Sequence, residues 1–100
     1  MEVLCIDDFF TSDTLEFYQR FGVIPPVKGT IYSIRDVINH ITGETGLLLN
    51  EIINPEVPIN SSIGIIHREP TWHIRRFRTL LGLELKKEDI KIEKYVEEYK

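Results

Sequence analysis

The stretch Lys28-Gly29-Thr30-Ile31-Tyr32-Ser33-Ile34-Arg35-Asp36-Val37-Ile38, then a polar break over 39–46, then Leu47-Leu48-Leu49-Asn50-Glu51-Ile52-Ile53, decides the fold. Both arms are rich in Ile, Val, Tyr and Leu, and the break contains Gly43 and Gly46. β-branched and aromatic runs around a glycine-containing loop predict two antiparallel strands. Tyr32, Ile34 and Ile38 share one face by strict alternation, with Asp36 interrupting it, and Ile31 and Val37 take the other. In the second arm Leu47, Leu49 and Ile53 alternate with Leu48 and Ile52. Apolar residues on both faces predict a ribbon covered in part on both sides.

Working outward, Val3-Leu4-Cys5-Ile6 reads as a buried first strand, stopped by Asp7-Asp8. Cys5 inside it reads as a small core hydrophobe, since neighbouring carboxylates raise a thiol's pKa and weaken it as a nucleophile. Asp7 and Asp8 point to opposite faces of a strand, so they form no dyad, and turn chemistry is the simpler role. Asp13 and Glu16 fit an Asp capping box, opening a short helix that Gly22 ends. Its aromatic neighbours Phe9, Phe10, Phe17, Tyr18 and Phe21 pack an insertion or line a groove. Pro25-Pro26 stiffens the entry to the first long strand.

Beyond the ribbon, 54–62 reads as an extended loop holding Pro55 and Pro58. A third strand recovers over 63–67, and Thr71 is placed to cap one turn before Phe77 and Leu80 return to the core. From Leu83 onward the composition is charged. Asp89 is placed to cap a C-terminal helix from Ile90, with Ile92, Val96 and Tyr99 as a narrow apolar stripe.

The totals set bounds. One hundred residues make one domain. A hydrophobic fraction of 42% supports a core, and a chain of this size buries somewhat over ~60% of its unfolded surface. A net charge of −4 gives no global attraction to nucleic acid or anionic lipid. One cysteine excludes an internal disulfide and a Cys-rich zinc module, and suits a reducing, cytoplasmic location. No stretch approaches the ~18 apolar residues of a membrane span, and no signal-peptide pattern opens the chain.

Three motifs in order, Val3-Leu4-Cys5-Ile6-Asp7-Asp8, Lys28-Gly29-Thr30-Ile31-Tyr32-Ser33-Ile34 and Arg76-Phe77-Arg78-Thr79-Leu80, resemble the small SH3-like barrel proteins common in phages and bacterial genomes. In those a Cys-Ile-Asp-Asp strand precedes a Gly-x-x-Tyr-x-Val strand, and a Phe-Arg-Pro-Leu segment ends the domain. Here the segment between Asp8 and Lys28 is long and aromatic, Thr79 replaces the usual Pro, and the tail after Leu81 is extra. The resemblance implies a mainly β fold, an SH3-like, partly open antiparallel barrel; with the residue pattern, the barrel spans 1–82 with an insertion at 9–27 and a short helix after strand 1, and 83–100 form a charged helical tail. It implies no activity, because such barrels host many functions.

No Walker loop, nucleophile elbow or His-Glu-x-x-His occurs. His40, His67 and His73 are scattered without metal-ligand spacing. No catalytic, metal or cofactor-binding residue is expected. The expected role is a non-enzymatic binding module for a protein or peptide, with Phe10, Phe17, Tyr18, Trp72, Arg75, Arg76 and Arg78 as candidate surface. The alternative is a nucleic-acid accessory protein gripping through Arg68, Arg75, Arg76 and Arg78 with Trp72 and Phe77 interleaved. The acidic balance disfavours it, and favours guanidinium groups paired with Asp7, Asp8 or Asp36. No membrane partner is expected, and the sequence leaves the oligomeric state open.

Overall fold

The computed structural model describes residues 1–61, 63–90 and 95–97. Its centre is the hairpin that the alternating runs predict. β2 (Ile31–Asn39) pairs antiparallel with β3 (Thr45–Leu49) across a turn in which Gly43 takes a φ of 89°. A side chain is disfavoured at that angle and glycine is not. β1 (Glu2–Cys5) pairs with the first half of β2, from Glu2 opposite Ser33 to Leu4 opposite Ile31.

β2 does not alternate strictly. Between Ile34 opposite Leu49 and Asp36 opposite Leu48 it advances two residues while β3 advances one, which makes Arg35 the extra residue of a β-bulge. A one-residue slip exchanges the faces of everything beyond it. Tyr32, Ile34 and Val37 consequently enter one core, where strict alternation groups Tyr32 and Ile34 with Ile38. The opposite face carries Ile38 and Leu48, also buried, so the ribbon is covered on both sides. β3 ends at Leu49, which leaves Ile53 exposed instead of continuing the Leu47–Leu49 face.

After Asn54 the chain makes a second, two-stranded sheet. β4 (Val57–Ser61) pairs with β5 (Gly64–Arg68), with Pro58 opposite His67. The loop reading of 54–62 is corrected here: proline is tolerated on an edge strand, and a two-stranded sheet is all edge. β6 (Trp72–His73) then pairs with β3, a 3-10 turn spans Ile74–Arg76, and β7 (Phe77–Arg78) pairs with β1. The order along the main sheet is β6-β3-β2-β1-β7. Its two edge strands are joined by three residues, and a 3-10 helix rises only about 2 Å per residue. The sheet must coil to bring those edges together, although no ladder joins β6 to β7 among the described residues.

The tail corrects the helix expected from Ile90. Lys87–Asp89 form a 3-10 turn, and Tyr95–Glu97 form β8, a parallel strand along the second half of β2 from Val37 to Asn39. Parallel pairing there uses backbone groups of β2 that β1 does not reach, a tertiary gain that a short isolated helix lacks. Positions 91–94 and 98–100, which hold Ile92 and Tyr99 of the expected stripe, lie outside the described residues. Leu85 and Ile90 belong to the core with Val3, Cys5, Leu47, Leu49, Trp72 and Phe77. Leu80 does not: it sits on the turn closed by Gly82 and is half exposed.

Two substitutions test this packing. Phe77→Ala empties a fully buried site between β1 and the 3-10 turn, and urea unfolding should show a loss of about 3–5 kcal/mol. Gly46 faces Thr71 where β6 crosses β3; a Cβ there would overlap Thr71 Oγ1 and lie 2.7 Å from Thr71 Cβ. Gly46→Ala should cost about 1–3 kcal/mol by the same measurement, and unchanged midpoints for both variants would contradict the assigned packing.

Candidate functional site

Helix α1 (Ser12–Phe21) forms one wall of a surface cleft. Thr11, not Asp13, is its N-cap: Thr14 N–H donates to Thr11 Oγ1 at 3.3 Å, and the Thr11 hydroxyl donates to Thr14 Oγ1 at 2.9 Å. At the other end Gly22 closes the helix at a φ of 71°. No residue of α1 is fully buried. It is held by Phe17 and Tyr18, which pack on the core, while Leu15 is exposed.

The other wall is the segment Thr71–His73 with Arg76. Trp72 is 1% exposed and forms the floor. Phe10 and Tyr18 meet it from the helix side, and the three rings contact each other edge to face: 5.4 Å for Phe10–Tyr18, 6.0 Å for Phe10–Trp72 and 5.8 Å for Tyr18–Trp72. Such pairs are worth about 0.5–1.5 kcal/mol each beyond their buried area. With Phe9 and Thr11 completing the rim, the cleft has a volume of about 410 Å³, within the range of small-ligand sites.

Arg76 locks the loop that carries Phe10. Its guanidinium carbon lies 4.0 Å above the Phe10 ring, and Nη1 donates to Phe9 O at 2.9 Å, Asp7 O at 3.3 Å and Asp7 Oδ1 at 3.4 Å. Asp7 Oδ1 also accepts from Phe9 N–H, and Asp8 Oδ2 accepts from Lys28 N–H. Asp7 thus serves turn chemistry and is the partner of Arg76, whereas Asp8 corrects that expectation by tying the end of β1 to the backbone at Lys28. Burial foremost pushes the Cys5 thiol up, with Asp8 adding to it, as a core cysteine beside carboxylates should behave.

Of the seven residues singled out in the sequence, Phe10, Tyr18, Trp72 and Arg76 converge on this cleft. Phe17 packs on Phe21, 4.8 Å away, and lies off the lining. Arg78 is turned onto its own segment, Nη1 donating to Phe77 O at 3.0 Å and Arg75 O at 3.4 Å. Arg75 is exposed, and its N–H and Nε donate to His73 Nδ1 at 3.1 and 3.4 Å. His73, rather than Thr71, therefore caps the 3-10 turn. Arg68 reaches His40 on the β2–β3 turn, so the arginines of 68–78 do not share one face-forming role.

Sequence reasoning missed Thr11, Thr14, Thr71 and His73. Each is within four residues of a flagged aromatic, and that proximity was the available signal.

His40 Nε2 lies 3.1 Å from Thr71 Oγ1, and Arg68 Nη2 lies 3.4 Å from His40 Nδ1. Among the described residues no three His, Cys, Asp or Glu side chains gather as a metal site, and no helix is long and apolar enough to cross a membrane. Compared with known protein families, curated proteins and solved structures, the chain has no match.

Burial foremost, then Arg75, holds the His73 imidazole below its ordinary value of 6.5. The unfolded chain then binds the proton more readily than the folded one. Stability from this site is complete above pH 6.5 and declines as pH falls through 6.5 toward the depressed folded value. NMR titration should place the His73 midpoint below that of an ordinary imidazole, and Arg75→Ala should raise it.

Proposed function

We propose that this chain is a small non-enzymatic binding module of SH3-like architecture, and that it holds a protein or peptide segment in the Phe10–Tyr18–Trp72 cleft. The architecture is supported by the strand order β7-β1-β2-β3-β6 with one 3-10 turn linking the two edge strands. The observation that carries the function is the cleft: an aromatic surface of Phe10 and Tyr18 backed by the buried Trp72, rimmed by threonine hydroxyls and held between a helix and a strand. Rigid aromatics give contact area at low entropic cost, which is why they anchor interfaces.

The basic-aromatic segment supports nucleic-acid binding poorly. Arg78 turns Nη1 onto the carbonyls of Phe77 and Arg75, Arg68 is directed at His40, and the two interleaved aromatics, Trp72 and Phe77, are both buried and offer no stacking face.

Selection of a random peptide library against the full chain tests the proposal. Enriched peptides should lose at least tenfold in affinity against Thr14→Met, which fills the cleft with a longer uncharged side chain from a helix position that tolerates it. No enrichment, or peptides indifferent to Thr14→Met, would contradict it.

A further inference from the structure

We infer that the cleft takes a ligand in which a carboxylate stands beside an apolar or aromatic group, an assignment that rests on the binding-module reading above and narrows it. The hydrogen-bond directions carry it. On the helix wall, Thr11 Oγ1 accepts from Thr14 N–H and passes its own proton to Thr14 Oγ1. The Thr14 hydroxyl is thereby an occupied acceptor with its proton left to donate. On the strand wall, the Thr71 hydroxyl lies 3.1 Å from His40 Nε2, a contact in which a hydroxyl can serve as acceptor or donor. His73 follows the logic of Thr14: Nδ1 accepts from Arg75 N–H, so the neutral ring carries its proton on Nε2.

Thr14 and His73, on facing walls, thus present an O–H and an N–H, while the lining contains no carboxylate. Arg76, also in the lining, satisfies its neighbours through Nη1 alone among the described residues; Nε and Nη2 are its further donors. Arg75 stands exposed beside them. A site whose charged group only donates and whose lining holds no carboxylate favours an acceptor, and an ionised carboxylate is acceptor-only. Bonds from neutral donors to a charged acceptor are about twice as strong as neutral pairs. The rings of Phe10 and Tyr18, backed edge to face by the buried Trp72, supply the apolar surface next to those donors.

The test is titration of the full chain with N-acetylphenylalanine and, separately, its carboxamide. The readout is the emission of Trp72, the chain's single tryptophan, which floors the cleft. The acid should give a saturable change and bind at least tenfold tighter than the amide. Thr14→Val, on the helix surface, should shrink that preference. Equal affinities for acid and amide, or no saturable response to the acid, would overturn the assignment. Library peptides that still bind in a Thr14-dependent manner would in that case leave the module reading standing, so the two claims fail separately.

Discussion

The bulge at Arg35 fixes more of this molecule than any other local feature. The extra residue in β2 interrupts the ladder with β3, and its own side chain repairs the break: Arg35 Nε donates to Leu49 O at 3.1 Å. Nη2 continues to Glu69 Oε2 at 2.8 Å. The same carboxylate oxygen accepts from Asn54 N–H at 2.9 Å, and the buried Asn54 side chain clasps Ile24 in both directions, accepting from its N–H at 2.8 Å and donating to its carbonyl at 3.0 Å. One polar chain therefore runs from the central strand to residue 69, three positions before Trp72, and to residue 24, two positions after the helix C-cap. Both walls of the aromatic cleft are referenced to the same bulge. A partly buried ion pair justifies its desolvation only when its remaining lone pairs are satisfied, and here the carboxylate has two donors.

The cleft in turn holds itself open. Arg76 ties the Phe10 loop to the 3-10 turn through three acceptors and the ring face, so Phe10 is stationed by backbone contacts and needs no ligand to order it. Preorganisation of that kind lowers the entropic cost of binding. It also explains why the arginines of 68–78, which read as a cationic surface in one dimension, act largely as struts in three.

Legibility in the sequence followed the locality of the cause. The β2–β3 hairpin, the buried Cys5 strand, the short helix ended by Gly22 and the aromatic cluster were all readable, because each is set by alternation, turn residues or caps within a few positions. The exchange of Ile38 for Val37 in the core was not readable: nothing beside Arg35 marks the bulge, whose compensating partners are Leu49 and Glu69. The β4 strand was hidden by Pro58, which counts against a strand until its edge position is known. The tail read as a helix from its apolar spacing, whereas Tyr95–Glu97 take their conformation from the vacant edge of β2. For the site, the aromatics and Arg76 were identifiable by type. The threonines were not: Thr71 is placed by a contact with His40, 31 positions away, and the Thr11–Thr14 pair is a helix cap whose place in a cleft depends on the distant Trp72 segment.

A double-mutant cycle of Arg35→Met and Glu69→Gln, followed by urea unfolding and by the emission maximum of Trp72, tests most directly whether the bulge positions the cleft. The account predicts a coupling of about 1–3 kcal/mol, with a red-shifted Trp72 emission in each folded single variant as the strand wall loosens. Additive losses with an unshifted Trp72 spectrum would contradict it.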